Sequence, residues 1–430
     1  MKITQQQKEE IIALIKSEVV PAIGCTEPIA VALAVAKAKE VLGALPKQIS
    51  VFLSANVLKN AMGVGIPGTG MIGLPIAIAL GAIGGKSEYL LEVLKDCTPE
   101  IVEQGKKYIN EKRITIAEKK DTQQKLYIEI NAHNGDDSVK VIISGEHTHF
   151  TFIQKNNTII CDNPIKNSIQ ESHNNTVTLS LQKVYDFVNE VPIEELEFIM
   201  ESAKMNKEVA LASLHNNYGH ALGKTIFTQP VEQFFGNGIY AKILSYTAAA
   251  CDARMAGAKI PVMCNSGSGN QGISATLPVV IYAEERLKSH EQLVRALTLS
   301  HLTVIYIKQH FGRLSALCGC VVAATGSSCG ITYLMGGNYE QISYSVQNMI
   351  ANITGMICDG AKPSCALKIA TGVSTAVLSS MLAIENKTVS SVEGIIDQNV
   401  DKTIQNLTTI GTVGMNQTDK LVLDIMTQKH

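Results

Sequence analysis

Apolar residues recur at helical spacing over residues 4–18 and again over residues 29–41. Between these runs, residues 21–28 hold two prolines and a glycine, which break the periodicity. The pattern predicts two helices with a short loop between them. Thr26, at the end of this loop, is suited to cap the second helix, and Pro28 is tolerated in its first turn.

Alternation of apolar and polar residues predicts a strand over residues 48–57. A Gly/Pro-rich turn follows over residues 63–75, and we expect it to form one wall of a site. The alternation returns over residues 113–161, where Asn134-Gly135 is a signal for a tight hairpin. This region therefore predicts a small antiparallel sheet.

The pattern changes after a polar stretch at residues 163–175. From residue 192 to the C-terminus the chain is typical of helices separated by glycine-containing loops. We therefore predict an α+β fold with a domain boundary near residue 190. Residues 1–190 would form a mixed α/β domain with the Cys25 loop and the small sheet, and residues 191–430 would form a mostly helical domain that holds the cysteine-rich segments.

Composition narrows the classes of function. The chain has 430 residues, of which 46% are hydrophobic and 18% charged, and these values allow a large buried core. A net charge of -2 without a cluster of lysine and arginine argues against a nucleic-acid partner. We expect a small-molecule substrate. No pattern fixes the oligomeric state, and a homodimer stays open.

The two most apolar stretches, residues 72–84 and 366–384, are too short or carry a lysine, so we expect buried helices and no membrane partner. The ten cysteines could form disulfides. In a chain of this length, whose start shows no charged-then-apolar leader, we instead expect reduced thiols and a cytoplasmic location. Cytoplasmic cysteines among glycines indicate metal binding or catalysis.

Cysteines cluster with glycine in two segments, Cys358-Asp-Gly-Ala-Lys-Pro-Ser-Cys365 and Cys318-Gly-Cys320. Thiolates on such turns suit a metal ion or an iron-sulfur cluster better than a hydrophobic core. A [4Fe-4S] cluster held by three thiolates would leave one iron open as a Lewis acid. We predict Cys358, Cys365 and Cys318 as ligands, with Cys320 as the alternative to Cys318. In the competing interpretation, Cys318, Cys320 and Cys329 are small buried residues of a helix.

A glycine- and serine-rich run over residues 264–271 stands immediately before an apolar helix. Backbone N–H groups at a helix start can bind a carboxylate, and amide side chains add further donors. The competing interpretation is a plain Gly/Ser turn. The run lacks the Gly-Lys-Ser/Thr ending of a phosphate loop, which argues against a nucleotide. The candidate substrate-binding residues here are Ser266, Gly267, Ser268, Gly269, Asn270 and Gln271.

Residues 54–69 form a second candidate segment for substrate contacts, with Asn56, Lys59 and Asn60 beside a glycine-rich turn. Lys59 could pair with a substrate carboxylate, although a solvated lysine is the commoner case. Cys25 has two interpretations, a cluster ligand displaced by substrate or an acid/base. A cysteine near cationic groups or a helix start ionises readily, which favours a reactive thiol.

The histidines give weaker evidence for a metal or catalytic site. His147 and His149 alternate on a predicted strand and are expected at the surface, because no third ligand accompanies them. His215 and His220 do not have the i, i+4 spacing of a zinc-protease motif, and the glutamate of that motif is missing.

Five short motifs together carry a family resemblance, and they are Pro21-Ala-Ile-Gly-Cys-Thr-Glu-Pro, Asn56-Val-Leu-Lys-Asn-Ala, Ser266-Gly-Ser-Gly-Asn-Gln-Gly, Cys318-Gly-Cys and Cys358-Asp-Gly-Ala-Lys. The combination resembles the L-cysteine desulfidase branch of the iron-sulfur serine dehydratase alpha family, from about residue 10 to the C-terminus. The resemblance implies a [4Fe-4S] cluster and the release of sulfide, ammonia and pyruvate from L-cysteine. Composition and spacing do not lead to that substrate by themselves.

Carried onto this sequence, the resemblance implies cluster ligands at Cys318, Cys358 and Cys365 and a catalytic or substrate-proximal thiol at Cys25. The Ser-Gly-Ser-Gly-Asn-Gln run would hold the amino acid. We expect Cys25 or its neighbour Glu27 to handle the proton while the open iron polarises the Cβ–S bond.

Thr26, next to the reactive thiol, is a further candidate for substrate contact. Serine dehydratases differ in having a Ser/His-rich loop near the place of Cys25 and a longer gap between the last two cluster cysteines. These differences favour cysteine over serine and leave the choice between Cys318 and Cys320 open. The alternatives are an iron-sulfur L-serine dehydratase, a pyridoxal-phosphate lyase and a non-enzymatic zinc/thiol binding module.

Overall fold

The computed structural model describes residues 3–122, 124–164, 177–228, 234, 236–311 and 316–428. The predicted α+β class is confirmed, because small sheets in the N-terminal part precede a mostly helical region. The strands are β1 Pro21–Ile23, β2 Gln48–Leu53, β3 Ile114–Glu118, β4 Tyr127–Asn134, β5 Asp137–Ser144, β6 Phe150–Lys155, β7 Thr158–Asp162 and β8 Pro261–Met263.

The helices in the described ranges are α1 Gln5–Glu18, α2 Thr26–Leu42, α3 Ala55–Ala61, α4 Leu74–Ile83, α5 Pro99–Asn110, α6 Leu181–Glu190, α7 Ile193–Leu196, α8 Met200–His215, α9 Leu222–Ile226, α10 Ile239–Met255, α11 Gly269–Glu285, α12 His290–Phe311, α13 Gly319–Leu334, α14 Tyr339–Ile353, α15 Cys365–Ile384, α16 Val400–Thr409 and α17 Asn416–Thr427.

The larger sheet has the strand order β3-β2-β4-β5-β6-β7. Its strands pair antiparallel, except that β2 and β3 are parallel. Helices α2 and α4 pack on one another, and apolar side chains from them and from β2, β4 and β5 form one core. The hairpin predicted at Asn134-Gly135 is confirmed, since Asn134 pairs with Asp137 and Gly135 has φ +63°.

Two strand boundaries differ from the prediction. The strand predicted over residues 48–57 ends at Leu53, because Ser54 accepts a backbone hydrogen bond from Leu58 at 3.0 Å and the chain turns into α3. His147 and His149 lie in a turn that precedes β6 rather than on a strand. Local alternation continued past the true strand ends in both cases.

The helical region has a second core in which α12, α13 and α14 pack together, and α13 is buried along nearly its whole length. Ile11 and Ile15 of α1 also belong to this core, although α1 lies far from α12, α13 and α14 in the sequence. α4 is buried, as expected for the first apolar stretch.

Among the residues that the structure describes, α15 is the one helix long and apolar enough to cross a membrane by length and composition. It packs against α10, α13 and α14, and 44% of its most apolar window is buried. A helix packed in this way is also typical of a protein core, and α15 begins with one of the predicted cluster ligands, Cys365.

A short two-stranded sheet joins the segments that precede the Cys25 loop and the Gly/Ser-rich run. β1 pairs antiparallel with β8, with Pro21 opposite Met263. Beyond this pair, the backbone N–H of Ser266 donates to the carbonyl of Glu18 at 3.0 Å. The Cys25 loop and the Gly/Ser-rich run, more than two hundred residues apart in sequence, are therefore neighbours in space.

Candidate active site

A cavity of about 100 Å³ brings together most of the predicted site residues. Its wall is formed by Cys25, Thr26, Glu27, Asn60, Arg254, Ser268, Asn270, Gln271, Cys318, Gly319, Cys320, Cys358, Gly360, Ala361, Cys365, Lys368 and Ile369. A larger groove of about 830 Å³ lies between α14, α15 and residues 389–396, and none of the predicted site residues lines it. We therefore place the candidate active site in the smaller cavity.

Two of the predicted ligands are held side by side by the backbone. Leu317 and Ile357 form an antiparallel bridge. The N–H of Cys318 donates to the carbonyl of Met356 at 2.9 Å, and the N–H of Cys358 donates to the carbonyl of Ala316 at 2.7 Å. Segments 40 residues apart in number thus present Cys318 and Cys358 to one cavity.

Cys365 is the first residue of α15 and follows a tight turn that requires glycine. Gly360 has φ +89°, and a Cβ there would lie 2.4 Å from the carbonyl oxygen of Lys59. The Cys365 thiol donates to the carbonyl of Gly360 at 3.7 Å. The close approach of backbone to backbone fixes how the turn presents Cys365, and a side chain at Gly360 would disturb it.

Electrostatics separate Cys318 from Cys320. A hydrogen bond from Cys320 lowers the pKa of Cys318 to about 7, with a further contribution from the Lys368 charge. The same hydrogen bond and burial raise the pKa of Cys320 well above its usual value. Cys320 also contacts protein acceptors, since its sulfur lies 3.0 Å from Met356 Sδ and 3.4 Å from the Lys368 carbonyl.

The other two thiols have raised pKa values. Burial, followed by the Cys318 charge, raises the pKa of Cys358 to about 11 and also raises that of Cys365. These mutual effects arise because the thiols share one poorly solvated space. Lys368 lies beside them, and although burial opposes its charge, Asp359 and Cys318 raise its pKa.

Cys25 and Glu27 form a hydrogen-bonded acid and base pair. The Cys25 thiol donates to Glu27 Oε2 at 3.0 Å, and Asn60 Nδ2 donates to Glu27 Oε1 at 3.0 Å. Burial and then the Glu27 charge raise the pKa of Cys25 well above its usual value. The expectation that Cys25 ionises readily is therefore wrong for this environment, because burial, and then the charge of Glu27, disfavours its thiolate.

Glu27 has the opposite shift. Burial opposes its ionisation, but the charge of His147 and the hydrogen bonds from Cys25 and Asn60 outweigh burial and lower its pKa. His147 is only 6% exposed, so the prediction of a surface histidine is wrong. The turn before β6 directs His147 inward, and the alternating sequence gave no signal of this.

Thr26 is the first residue of α2 and does not cap it, which corrects that prediction. Its hydroxyl instead lies 2.9 Å from the carbonyl of Gly267 and donates to it. This bond ties the Cys25 loop to the Gly/Ser-rich run. Ser266, Gly267 and Gly269 therefore lie next to the cavity, while Ser268 lines it.

Asn56 and Lys59 lie beside the cavity, outside its wall. Both side chains donate to the carboxylate of Asp419 on α17, and Lys59 Nζ also donates to the carbonyl of Cys358 at 3.3 Å. Lys59 is 1% exposed, so the solvated lysine of the competing interpretation is excluded. The pair connects the C-terminal helix to the turn that carries Cys358.

Arg254, at the end of α10, is a cavity residue that the sequence analysis missed. Its Nη1 donates to Asn270 Oδ1 at 3.0 Å. Burial works against its charge, but the neighbouring acidic groups, the thiols of Cys25 and Cys264 and the carboxyl of Glu27, raise its pKa. The sequence offered one signal, an arginine in a helix of small residues. A charged residue is rarely buried in such a helix unless another group pairs with it.

A buried histidine, His301, forms a hydrogen bond with Asn265 of the Gly/Ser-rich run. Asn265 Nδ2 donates to His301 Nδ1 at 3.0 Å, and His301 Nε2 lies 3.0 Å from the Thr276 hydroxyl. Because an amide nitrogen only donates, Nδ1 accepts and the ring is neutral with its proton on Nε2. Burial lowers the pKa of His301 to about 3.

Within the described ranges, no three side chains of His, Cys, Asp or Glu are spaced to hold a single metal ion. The three predicted ligands, Cys318, Cys358 and Cys365, line the same cavity.

A sequence model of the family described as Serine dehydratase alpha chain matches residues 88–424. The chain is 64% identical over 426 residues to a UPF0597 protein of Bacteroides fragilis, which covers 99% of each chain. It is 64% identical over 429 residues to a UPF0597 protein of Phocaeicola vulgatus, covering 100% of this chain and 99% of the relative. A UPF0597 protein of Actinobacillus pleuropneumoniae is 42% identical over 429 residues, with the same coverage.

Proposed function

Because the chain belongs to the serine dehydratase alpha chain family, we propose that it is a lyase that converts L-cysteine to pyruvate, ammonia and sulfide. The family supports the coarser statement, a dehydratase-like lyase. The observation that carries the finer one is a single cavity lined by Cys318, Cys358 and Cys365 together with the Cys25–Glu27 pair.

The residues fit a [4Fe-4S] cluster, which when bound supplies an open iron as a Lewis acid. Cys318, Cys358 and Cys365 would hold it, and all three line the same cavity. We choose Cys318 rather than Cys320 as the third ligand, because the Cys320 sulfur already contacts Met356 Sδ at 3.0 Å and the Lys368 carbonyl at 3.4 Å. The zinc module is less well supported, since a structural zinc takes four ligands around one point.

The opposed pKa shifts of the Cys25–Glu27 pair suggest how protons move. Glu27 is held as a carboxylate and Cys25 as a neutral thiol, and such a split commonly separates base from acid. Glu27 would take the α-proton of L-cysteine, and the C–H electrons would form the Cα=Cβ bond as the Cβ–S bond breaks. Cys25 would donate its proton to the departing sulfide, and Glu27 would return a proton to Cys25.

The product of this elimination is aminoacrylate, which tautomerises to an imine and reacts with water to give pyruvate and ammonia. Hydrosulfide, the group that leaves Cβ, is a better leaving group than hydroxide, because S–H groups are more acidic than O–H groups, with a pKa of about 8.5 for a cysteine thiol against about 15.7 for water. A thiol with a raised pKa is a weak general acid, so it suits sulfide better than hydroxide.

L-serine is the second candidate substrate, favoured by the name of the matching family. Anaerobically purified protein should be assayed for pyruvate from both amino acids and for sulfide from L-cysteine. We expect the larger kcat/KM for L-cysteine, with sulfide and pyruvate released in equal amounts. Pyruvate from L-serine alone would support the dehydratase instead. We also propose a cytoplasmic location for this lyase.

A further inference from the structure

We infer that the cavity binds a zwitterionic α-amino acid by its head group, with Arg254 pairing the carboxylate and the amide oxygens of Gln271 and Asn60 accepting from the ammonium. The inference deepens the proposed function and rests on it for the identity of the active site.

Arg254 lines the cavity and is only 3% exposed. In the described part of the chain, no carboxylate lies within ion-pair distance of its guanidinium, and its Nε has no hydrogen-bond partner. The nearby charge of Glu27 favours the guanidinium but makes no ion pair with it. A buried guanidinium favours an anion in direct contact, and a ligand in the cavity can supply that anion.

Neighbouring residues hold the guanidinium of Arg254 in a fixed position. Asn270 Oδ1 accepts from Arg254 Nη1 at 3.0 Å, and Asn270 Nδ2 in turn contacts Met255 Sδ at 3.4 Å. At Gly269, a Cβ would lie 2.3 Å from Arg254 Nε. Glycine at this position leaves the space that Arg254 occupies at the start of α11, where backbone N–H groups also favour an anion.

The same cavity wall contains two amide oxygens that lack a hydrogen-bond donor. Gln271 Oε1 and Asn60 Oδ1 are buried, and neither accepts a hydrogen bond from the residues that the structure describes. The orientation of the Asn60 amide is fixed because its Nδ2 donates to Glu27, which as a carboxylate can only accept. Buried acceptors without donors indicate a ligand that donates.

Taken together, the cavity offers one unsatisfied cationic donor and two unsatisfied neutral acceptors beside the carboxylate of Glu27. An ammonium group satisfies the acceptors and a carboxylate satisfies Arg254. An α-amino acid has this combination of charges.

The test uses ligands without a leaving group, so that binding is measured apart from catalysis. L-alanine has both charges of the head group, and L-alaninamide replaces the carboxylate by a neutral amide. Affinities of both are measured by isothermal titration calorimetry on the anaerobically prepared holoenzyme. The variants are Arg254→Gln, Arg254→Lys and Gly269→Ala, with Arg286→Gln as the control because Arg286 is exposed at the end of the same helix, α11.

We expect Arg254→Gln to weaken L-alanine binding by about 10- to 100-fold, as for a hydrogen bond to a charged group, and to leave L-alaninamide within about twofold. Arg254→Lys should retain part of the affinity. Gly269→Ala keeps Arg254 but displaces it, so it should reproduce the selective loss even if Arg254→Gln does not fold. Arg286→Gln should bind both ligands as the wild type does.

Unchanged L-alanine affinity in Arg254→Gln, or an equal loss for L-alanine and L-alaninamide, would overturn the inference. So would a loss of iron with L-alanine affinity intact, because Arg254 would then neutralise the cluster rather than the substrate. A protein that binds L-alanine through Arg254 but releases no sulfide from L-cysteine would instead refute the desulfidase proposal and leave the head-group site standing.

Discussion

At the scale of single residues, the site depends on two neighbours with opposite protonation. Cys25 and Glu27 stand two positions apart in sequence and share a hydrogen bond, yet burial keeps the thiol neutral while His147 and Asn60 help to keep the carboxylate charged. The environment, rather than the residue types, therefore assigns the acid and the base.

The role of Glu27 can be tested by Glu27→Gln, which keeps a side chain of the same shape that cannot accept the α-proton. We expect kcat for L-cysteine to fall by about 10²- to 10⁴-fold, the usual contribution of a general base, with iron and sulfide contents unchanged. Glu385→Gln, at an exposed glutamate, is the control. A fall of less than tenfold would show that another group takes the proton.

His301 gives a prediction about pH and stability. Burial holds its pKa at about 3 in the folded protein, against about 6.5 in an unfolded chain. The unfolded state therefore binds a proton first, so this contribution to stability is complete above pH 6.5 and is lost as the pH falls toward 3. Between pH 7 and pH 5, urea unfolding should lose about 2 kcal/mol more in the wild type than in His301→Gln. Equal losses in the two proteins would contradict this assignment.

The residue types predicted much of the site, and the tertiary contacts determined the rest. Cys25, Glu27 and Cys358 stand out in the sequence because they lie in short runs with glycine or proline that interrupt the helical periodicity. Arg254 and His147 were missed, since one lies in a helix of small residues and the other in a turn that local alternation disguises as a strand. Their burial depends on segments distant in sequence, which no local pattern contains.

At the scale of elements, glycine turns and short bridges place the thiols. The β1–β8 pair and the Leu317–Ile357 bridge join segments that are far apart in the chain. The hairpin at Asn134-Gly135 was predictable because its turn chemistry is local. Neither bridge was predictable, because two or three residues carry too little pattern to identify a partner strand.

The turn before Cys365 can be tested by Gly360→Ala. Its left-handed conformation costs about 1–2 kcal/mol for an alanine, and the added Cβ would also lie 2.4 Å from the Lys59 carbonyl. We expect lower thermal stability and loss of bound iron. Gly336→Ala is the matched control, because Gly336 has φ +90° with nothing within 4 Å of its Cβ position. The control should lose stability but keep its iron, and equal iron contents in the two variants would contradict the role of the turn.

At the scale of the whole molecule, α17 contacts residues that lie beside the cavity, outside its wall. Asp419 of α17 accepts from Asn56 and Lys59, and Lys59 in turn reaches the carbonyl of Cys358. Through these contacts, α17 supports the turn that carries the predicted ligand Cys358. The order of elements along the chain gives no indication of this contact.

Asp419→Asn should leave the buried Lys59 charge without its carboxylate. We expect a loss of about 3 kcal/mol in the free energy of unfolding by urea, as for a buried ion pair that loses one partner. Asp424→Asn, an exposed position on the same helix, should change it by less than about 0.5 kcal/mol. Similar losses in the two variants would mean that the Asp419–Lys59 pair does not stabilise the fold.

The central claim, that three thiols from distant segments hold one cluster, is tested most directly by iron and acid-labile sulfide analysis of anaerobically purified protein. We expect about four of each per chain in the wild type and almost none in Cys318→Ser, Cys358→Ser or Cys365→Ser. Cys320→Ser should keep the cluster, as should Cys329→Ser, a fully buried cysteine away from the cavity. A wild type without iron and sulfide, or a Cys318→Ser variant that keeps its cluster, would contradict the account.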